Sequence, residues 1–270
     1  MRRPIGLFDS GIGGLTVLRE IHRQLPQEDL VYFGDTAHVP YGTKSKETIT
    51  RFSIDNMQFL QSFDVKVVVV ACNTASALSL EVLKEKLSVP VIGVIEPGAR
   101  QAALKTKNGR VGVIGTKATI ASGSYESCLR RINPRLEIFS QACPLFVPLA
   151  EEGWLDGDIV LRIARVYLEP MKNFGIDTLI LGCTHYPLLV SVIRQVIGPG
   201  VALVNSADET AQEAKRLLES MEIQAELGSS QEPRMQFYVS DEPESFRILG
   251  ERFLGEPIAQ VAKVADYVRS

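Results

Sequence analysis

Residues 67–74 read VVVVACNT, a run of four valines that ends in alanine, a cysteine and two short polar residues. A β-branched run without polar alternation is typical of a strand buried on both faces of a parallel sheet. This strand is predicted to span 65–71, and similar runs predict strands at 5–8, 30–33, 91–94, 110–114, 136–140, 178–182, 202–204 and 235–239. Because longer amphipathic stretches such as 75–87 follow most of these runs, the pattern predicts an α/β protein with mainly parallel sheets.

The chain contains a faint copy of itself. The matching segments are 67–74 with 178–185 at an offset of 111, 6–10 with 112–116 at 106, and Val39-Pro40 with Val147-Pro148 at 108. The first match puts Cys183 at the position of Cys72. Three similar offsets predict two pseudo-symmetric α/β halves with a boundary near Pro97. The alternative is that any two strand–helix units look alike.

Two apolar patterns predict helices towards the ends of the chain. Their apolar residues recur at steps of three and four, and they are Leu15, Leu18, Ile21 and Leu25 in the first and Ile258, Val261, Val264 and Val268 in the second. Such spacing places the apolar side chains on one helix face. Pro170 is expected to kink or split the helical stretch 158–174, because proline lacks the N–H that the helix needs.

Composition excludes several classes of protein. Of the 270 residues, 45% are hydrophobic and 23% are charged, which is typical of a folded globular chain. A net charge of −3, with Lys and Arg scattered along the chain, argues against nucleic acid as a partner. The N-terminus lacks an apolar signal segment and no apolar run reaches the roughly 18 residues of a membrane span, so we expect a cytoplasmic protein without a membrane partner.

The cysteines are the first candidates for chemistry. All four, Cys72, Cys128, Cys143 and Cys183, are too far apart for a disulfide scaffold and are expected to be free thiols. Cys72 and Cys183 each follow a predicted strand and precede an amphipathic stretch, at the edge of an α/β sheet where ligands bind. The positive end of a helix there eases thiol ionisation, so each is expected to serve as a base. The alternative is a small buried hydrophobe, but matching positions in a repeat favour the chemical role.

Short polar residues follow the same strands. They are Asp9, Ser10, Asn73, Thr74, Thr184 and His185. Their side chains are expected either to cap the next helix or to bind a ligand, and Asp9 and His185 can also accept or return a proton. Segments 9–15, 71–77 and 181–189 contain no Arg or Lys. A carboxylate bound there is therefore expected to be held by backbone N–H groups and hydroxyls rather than by salt bridges.

Other kinds of site have weaker support. The glycines of segment 11–14 lack the spacing of a dinucleotide loop and any following Gly-Lys-Ser/Thr, which argues against a nucleotide. Cys72, Cys183, His185 and Asp9 do not have the spacing of a usual zinc site, so no metal is expected. A cysteine hydrolase that uses His185 leaves the second cysteine without a role. A two-domain protein that binds small carboxylates without chemistry stays open as a function of another class.

Five motifs, in order along the chain, carry a specific resemblance. They are DSGIGG at 9–14, GDTA at 34–37 followed by PYG at 40–42, ACNTAS at 71–76, GVIEPG at 93–98 and GCTHYP at 182–187. Together they resemble the glutamate racemases from residue 4 to about residue 210. The resemblance implies a cofactor-independent enzyme, with neither pyridoxal phosphate nor metal, that interconverts L- and D-glutamate and supplies D-glutamate for peptidoglycan. It also implies a homodimer, and two α/β domains facing each other across the substrate cleft, residues 1–97 with 208–270 and residues 98–207.

The resemblance further implies roles for individual residues. Cys72 acts on the D-enantiomer and Cys183 on the L-enantiomer, with Asp9 supporting the first thiol. Glu151 and His185 support the second thiol, and Glu152 is an equal candidate for the role of Glu151. The expected substrate-binding residues are Asp9, Ser10, Tyr41, Gly42, Asn73, Thr74, Thr184 and His185. The alternative within the class is an aspartate racemase of the same superfamily, whose substrate is one methylene shorter.

Overall fold

The computed structural model describes residues 3–225 and 232–264, and their strands lie in two sheets. In chain order the strands are β1 (Ile5–Asp9), β2 (Leu30–Gly34), β3 (Val67–Val70), β4 (Val91–Gly93), β5 (Arg110–Gly115), β6 (Glu137–Ala142), β7 (Thr178–Gly182), β8 (Ala202–Asn205), β9 (Met235–Val239) and β10 (Ala262–Lys263). The first sheet has the order β10-β9-β2-β1-β3-β4, and the second has the order β6-β5-β7-β8. Every strand pairing within the described residues is parallel. The predicted fold class and all nine predicted strands are confirmed, with ends that differ by at most two residues.

Helices cover both sheets. They are α1 (Leu15–Gln24), α2 (Lys46–Gln61), α3 (Asn73–Lys86), α4 (Ile95–Lys105), α5 (Lys117–Ala121), α6 (Ser124–Ile132), α7 (Phe146–Glu151), α8 (Asp158–Phe174), α9 (Val190–Ile197), α10 (Ser206–Ser220) and α11 (Pro243–Leu254). Every residue of β1, β2, β3 and β7 is buried. This burial on both faces explains why apolar residues follow one another along these strands instead of alternating with polar ones.

The internal repeat extends to the topology of the sheets. The order β2-β1-β3-β4 in the first sheet recurs as β6-β5-β7-β8 in the second, with each strand shifted by four places along the chain. Cys72 follows β3 and Cys183 follows β7, so both cysteines end the same strand of the repeated unit. The repeat therefore reflects two related sheets rather than a chance likeness of two strand–helix units.

The prediction of a helix around Ile258, Val261 and Val264 is wrong. Ala262 and Lys263 form β10, which pairs in parallel with β9, and the N–H of Val264 donates to the carbonyl of Val239 at 2.8 Å. The edge of β9 offers unpaired backbone groups, and pairing with them competes with the helix that the apolar spacing favours. Val268, the last residue of that pattern, lies outside the described residues.

The prediction that Pro170 kinks or splits the stretch 158–174 is only partly tested. The stretch is not split, because α8 runs through Pro170 as one helix. The lost N–H leaves the carbonyl of Val166 without its helical partner, and Val166 is strongly exposed. Water can satisfy a carbonyl in such a position, so the helix continues.

The segment after α10 returns to the first sheet, which β9 and β10 extend beyond β2. Helix α4 packs against α6 and β7, and α10 packs against α1 and α4. The division into residues 1–97 with 208–270 and residues 98–207 stays a prediction. Within residues 3–225 and 232–264, no helix has the length and the apolar character needed to cross a membrane.

Candidate active site

One cavity of about 400 Å³ is lined by residues from the carboxyl ends of both sheets. Ser10 follows β1, Cys72 follows β3, Thr116 follows β5 and Cys183 follows β7, and all four line it. The predicted site residues that line the cavity are Ser10, Tyr41, Gly42, Cys72, Asn73, Thr74, Glu151, Cys183, Thr184 and His185. The structure thus brings together two thiols that are 111 positions apart in the sequence.

Cys72 lies at the start of α3, where it is the N-cap residue. Its side chain is buried, and its Sγ lies 3.7 Å from Oγ of Ser10. Burial, and then the negative charge of Asp9, raise the pKa of the Cys72 thiol to about 12. Hydrogen bonds from the Ala75 N–H and the Ser10 hydroxyl oppose this shift only in part. The N-terminus of α3 favours the thiolate through the Ala75 N–H, as expected, but the expectation that this thiol ionises more easily than a free one is wrong, because desolvation outweighs that hydrogen bond.

Cys183 has a different polar partner. It is followed not directly by an α-helix but by a 3₁₀ turn, Tyr186–Leu189, before α9 begins. Its Sγ lies 3.8 Å from Nδ1 of His185. The other ring nitrogen, Nε2, lies 2.9 Å from Oε1 of Glu151. Burial lowers the pKa of His185, but the hydrogen bonds to Cys183 and Glu151 outweigh it and raise that pKa to about 10. The ring can therefore carry a positive charge beside this sulfur at neutral pH.

The sequence left Glu151 and Glu152 as equal candidates for the partner of His185. Glu151 is the one in contact, and Glu152 is exposed. Helix α11 supports this contact from the C-terminal part of the chain. Nη1 of Arg252 donates to the carbonyl of Glu151 at 3.1 Å. The rings of Phe253 and His185 pack edge to face, with their centroids 5.1 Å apart. Sequence reasoning missed Arg252 and Phe253, which belong to no motif and meet the site only through folding.

Asp9 lies beneath the cavity and is not among the residues that line it. It is buried at the end of β1, and its Oδ2 accepts a hydrogen bond from the N–H of Gly11 at 3.0 Å. Burial raises the pKa of its carboxyl group, while the charge of His185 and the N–H groups of the following loop lower it. The net effect is a pKa above the ordinary value for this carboxyl group.

Tyr41 and Gly42 lie in a 3₁₀ turn that forms one wall of the cavity. The hydroxyl of Tyr41 donates to Oδ2 of Asp35 and accepts from Nδ2 of Asn56. Oδ1 of Asp35 accepts from Ser240, at the end of β9, at 2.9 Å. Asp35 belongs to the motif at 34–37, but no sequence pattern links it with residue 240, which is 205 positions away.

Hydroxyl groups from both halves meet at the cavity. Oγ1 of Thr74 lies 3.0 Å from Oγ1 of Thr116 and 3.2 Å from Oγ1 of Thr119. Thr116 aligns with Ser10 in the repeat, so the repeat could have predicted Thr116 as a site residue. Lys117 also lines the cavity and is exposed. Lys117 thus places a positive charge at the cavity from outside the three segments that lack Arg and Lys, and the expectation that a carboxylate is held by neutral donors stays a prediction.

The described part of the chain offers no cluster of three or more His, Cys, Asp or Glu side chains arranged to hold a metal ion. All four cysteines are buried and free of disulfide bonds, as expected. Cys128 and Cys143 do not line the cavity.

The raised pKa of His185 predicts a pH-dependent contribution to stability. The folded protein holds the proton of this ring more tightly than the unfolded chain, in which the pKa of histidine is 6.5. The contribution is therefore fully present below pH 6.5 and is lost as the pH rises to about 10. We expect the free energy of unfolding of the wild type, relative to that of His185→Gln, to fall over this range. Urea unfolding at several pH values measures it, and a difference that does not change with pH would contradict the assignment.

Comparisons with known proteins point to one family. Residues 5–214 match the model of the family described as Asp/Glu/Hydantoin racemase. The chain is 54% identical over 263 residues to a glutamate racemase of Geobacter metallireducens, covering 97% of each chain. Among solved structures it is similar to glutamate racemase isoform RacE1 from Bacillus anthracis, with a TM-score of 0.94, 44% identity and 99% of each chain covered. It is also similar to a glutamate racemase from Francisella tularensis in complex with D-glutamate, with a TM-score of 0.91, 39% identity and 98% of each chain covered.

Proposed function

The chain belongs to the Asp/Glu/Hydantoin racemase family, and we propose that it is a glutamate racemase that interconverts L- and D-glutamate through two cysteine bases. The observation that carries this proposal is that Cys72 and Cys183 line a single cavity. Racemisation removes the proton from Cα and returns one from the opposite face. Two bases on opposite sides of one carbon are sufficient for this chemistry, and the two related sheets supply one each.

The proton and the charge balance between the two thiols. A thiolate on one side takes the α-proton and becomes a thiol, while the thiol on the other side gives its proton to the carbanion and becomes a thiolate. The enzyme thus ends each turnover with its two thiols in exchanged states. A thiolate on one side of the cavity disfavours a second thiolate on the other side. We therefore expect the pair to titrate as a unit rather than as two independent groups.

The charges around the two thiols differ in sign. His185, held by Glu151, brings a positive charge to within 3.8 Å of the sulfur of Cys183. Burial, and after it the negative charge of Asp9, raise the pKa of the Cys72 thiol. We infer that the state in which Cys183 is the base accepts L-glutamate. After this turnover the exchanged state accepts D-glutamate.

The carbanion needs stabilisation, because a proton beside a carboxylate is only weakly acidic. The backbone N–H groups at the start of α3 and the hydroxyls of Thr74 and Thr184 surround the cavity and can bind the α-carboxylate. Their hydrogen bonds strengthen as negative charge develops in the transition state. Neutral donors suit this role, since strong binding of the ground-state carboxylate would not speed the reaction. We propose that the reaction needs neither pyridoxal phosphate nor a metal.

The test follows the α-hydrogen of both glutamate enantiomers in deuterated water. We expect racemisation in both directions, with deuterium entering mainly the product enantiomer at early times and activity retained after dialysis against a chelator. Equal early labelling of substrate and product would indicate a single base. Retention of the α-hydrogen would indicate a binding protein without chemistry.

Aspartate is the control substrate in the same assay. A missing methylene changes binding by about 1–3 kcal/mol, so kcat/KM for aspartate should be roughly 10–200-fold lower. A higher value for aspartate than for glutamate would assign the protein to the alternative within the class. We further propose a cytoplasmic homodimer whose D-glutamate is used for peptidoglycan and so for cell shape.

A further inference from the structure

Tyr125 joins the two halves of the protein next to the cavity. It lies in α6, beside the second sheet, and its side chain is only 2% exposed. Its hydroxyl lies 2.9 Å from Nδ2 of Asn73 and 3.0 Å from Oγ of Ser206. Asn73 is the first residue of α3, directly follows Cys72 and lines the cavity, whereas Tyr125 does not line it.

The hydrogen bonds of the hydroxyl fix the orientation of the Asn73 amide. An amide nitrogen only donates, so the hydroxyl of Tyr125 accepts from Asn73, and it shares a further hydrogen bond with the hydroxyl of Ser206 in which either group can donate. Burial raises the pKa of Tyr125 strongly, so the hydroxyl keeps its proton at any pH at which the protein works. With Nδ2 held in this way, Oδ1 of Asn73 is directed away from Tyr125.

The ring of Tyr125 also touches the other catalytic turn. A Cβ placed on Gly182 would lie 2.9 Å from Cε2 of Tyr125, so the ring packs directly on the backbone that precedes Cys183. Helix α6 is tied to α3 at the same seam, where the hydroxyl of Ser124 donates to the carbonyl of Ala77 at 2.9 Å. One side chain therefore contacts the residue after the first thiol and the residue before the second.

We propose that Tyr125 is a positioning residue, which orients Asn73 for the substrate and holds the turn of Cys72 in place against the turn of Cys183. The proposal rests on the proposed racemase function. Tyr125 contacts no substrate itself and acts through Asn73, because the hydroxyl is buried behind the cavity wall. Without the hydroxyl, the Asn73 amide loses its fixed partner and can rotate away from the geometry that substrate binding needs.

The test is a double-mutant cycle with Tyr125→Phe, Asn73→Ala and the double variant. Tyr125→Phe keeps the ring on Gly182 and removes only the hydroxyl. We expect it to lower kcat/KM for glutamate by about tenfold, with KM raised, since one buried hydrogen bond of this kind is lost. In the Asn73→Ala background, the same substitution should leave kcat/KM within about twofold, because its partner is already absent. Enzyme concentrations are raised until turnover is measurable in every variant.

The matched control is Tyr238→Phe. Tyr238 lies on β9, and its hydroxyl accepts a hydrogen bond from Gln236 in an exposed position. Its loss should leave kcat/KM and KM unchanged. An unchanged Tyr125→Phe enzyme, or an equal loss in both backgrounds, would overturn the positioning role. A wild type that fails to racemise glutamate would instead refute the proposed function, so the two failures are distinguishable.

Discussion

Replacing either Cys72 or Cys183 with alanine is expected to lower racemisation of glutamate by at least about 10²–10⁴-fold, the loss typical of a missing general acid or base. The loss should be equal in both directions, because two enantiomers have the same free energy in solution and their kcat/KM values must stay equal. Turnover from each enantiomer, followed by circular dichroism, measures it. A variant with near-wild-type turnover would rule out the two-thiol mechanism.

Exchange of the α-hydrogen with deuterated water tells the two variants apart. In Cys183→Ala the remaining thiol faces the α-hydrogen of D-glutamate, so D-glutamate should exchange without inversion while L-glutamate should not. Cys72→Ala should show the reverse. Each remaining thiol can take a proton, exchange it with solvent and return it to the same face, but it cannot reach the other face. Exchange of both enantiomers in one variant would contradict the assignment of faces.

Cys128→Ala is the matched control for these substitutions. Cys128 is also a buried free thiol, but it lies in α6 beside Arg131 and does not line the cavity. Its removal deletes the same atom without touching the proposed machinery. We expect its turnover and its exchange rates to match those of the wild type.

Gly13→Ala is expected to lower kcat/KM by about 10²-fold or more, although residue 13 carries no reactive group. A Cβ at this position would lie 2.2 Å from Oγ1 of Thr184 and 2.5 Å from Nδ1 of His185. These side chains cannot simply swing away, because both are buried and His185 is bound to Glu151. The methyl group must therefore displace the groups beside Cys183, and a displacement of about 1 Å in a catalytic site costs about 10²-fold.

Gly200→Ala is the control for Gly13→Ala. A Cβ at Gly200 meets no atom within 4 Å, so this substitution should leave activity and the melting temperature unchanged. Steady-state kinetics and thermal unfolding measure both variants. A folded Gly13→Ala enzyme with wild-type kcat/KM would show that the close approach of this loop to Thr184 and His185 has no catalytic importance.

The location of the reactive residues was predictable because it depends on local pattern. A run such as Val67–Val70 is apolar at every residue and β-branched, which is typical of a strand buried on both faces, and polar residues directly after it fall at the ligand-binding edge of the sheet. The repeated cysteine then pointed to two equivalent positions. The same reasoning failed at 258–264, where spacing alone favoured a helix but the free edge of β9 was available for pairing.

The amino-acid sequence determined the α/β class, the nine strands and the two thiols at strand ends, because hydrophobic patterning and turn residues act within a few residues of one another. Tertiary structure alone decided that Glu151 rather than Glu152 contacts His185, that Ser240 and Arg252 support distant loops, and that burial opposes ionisation of Cys72. These properties depend on which remote segments meet and on how much water the meeting excludes. The free energy of a charged group depends on the protein groups and the water around it in the folded structure rather than on its neighbours along the chain.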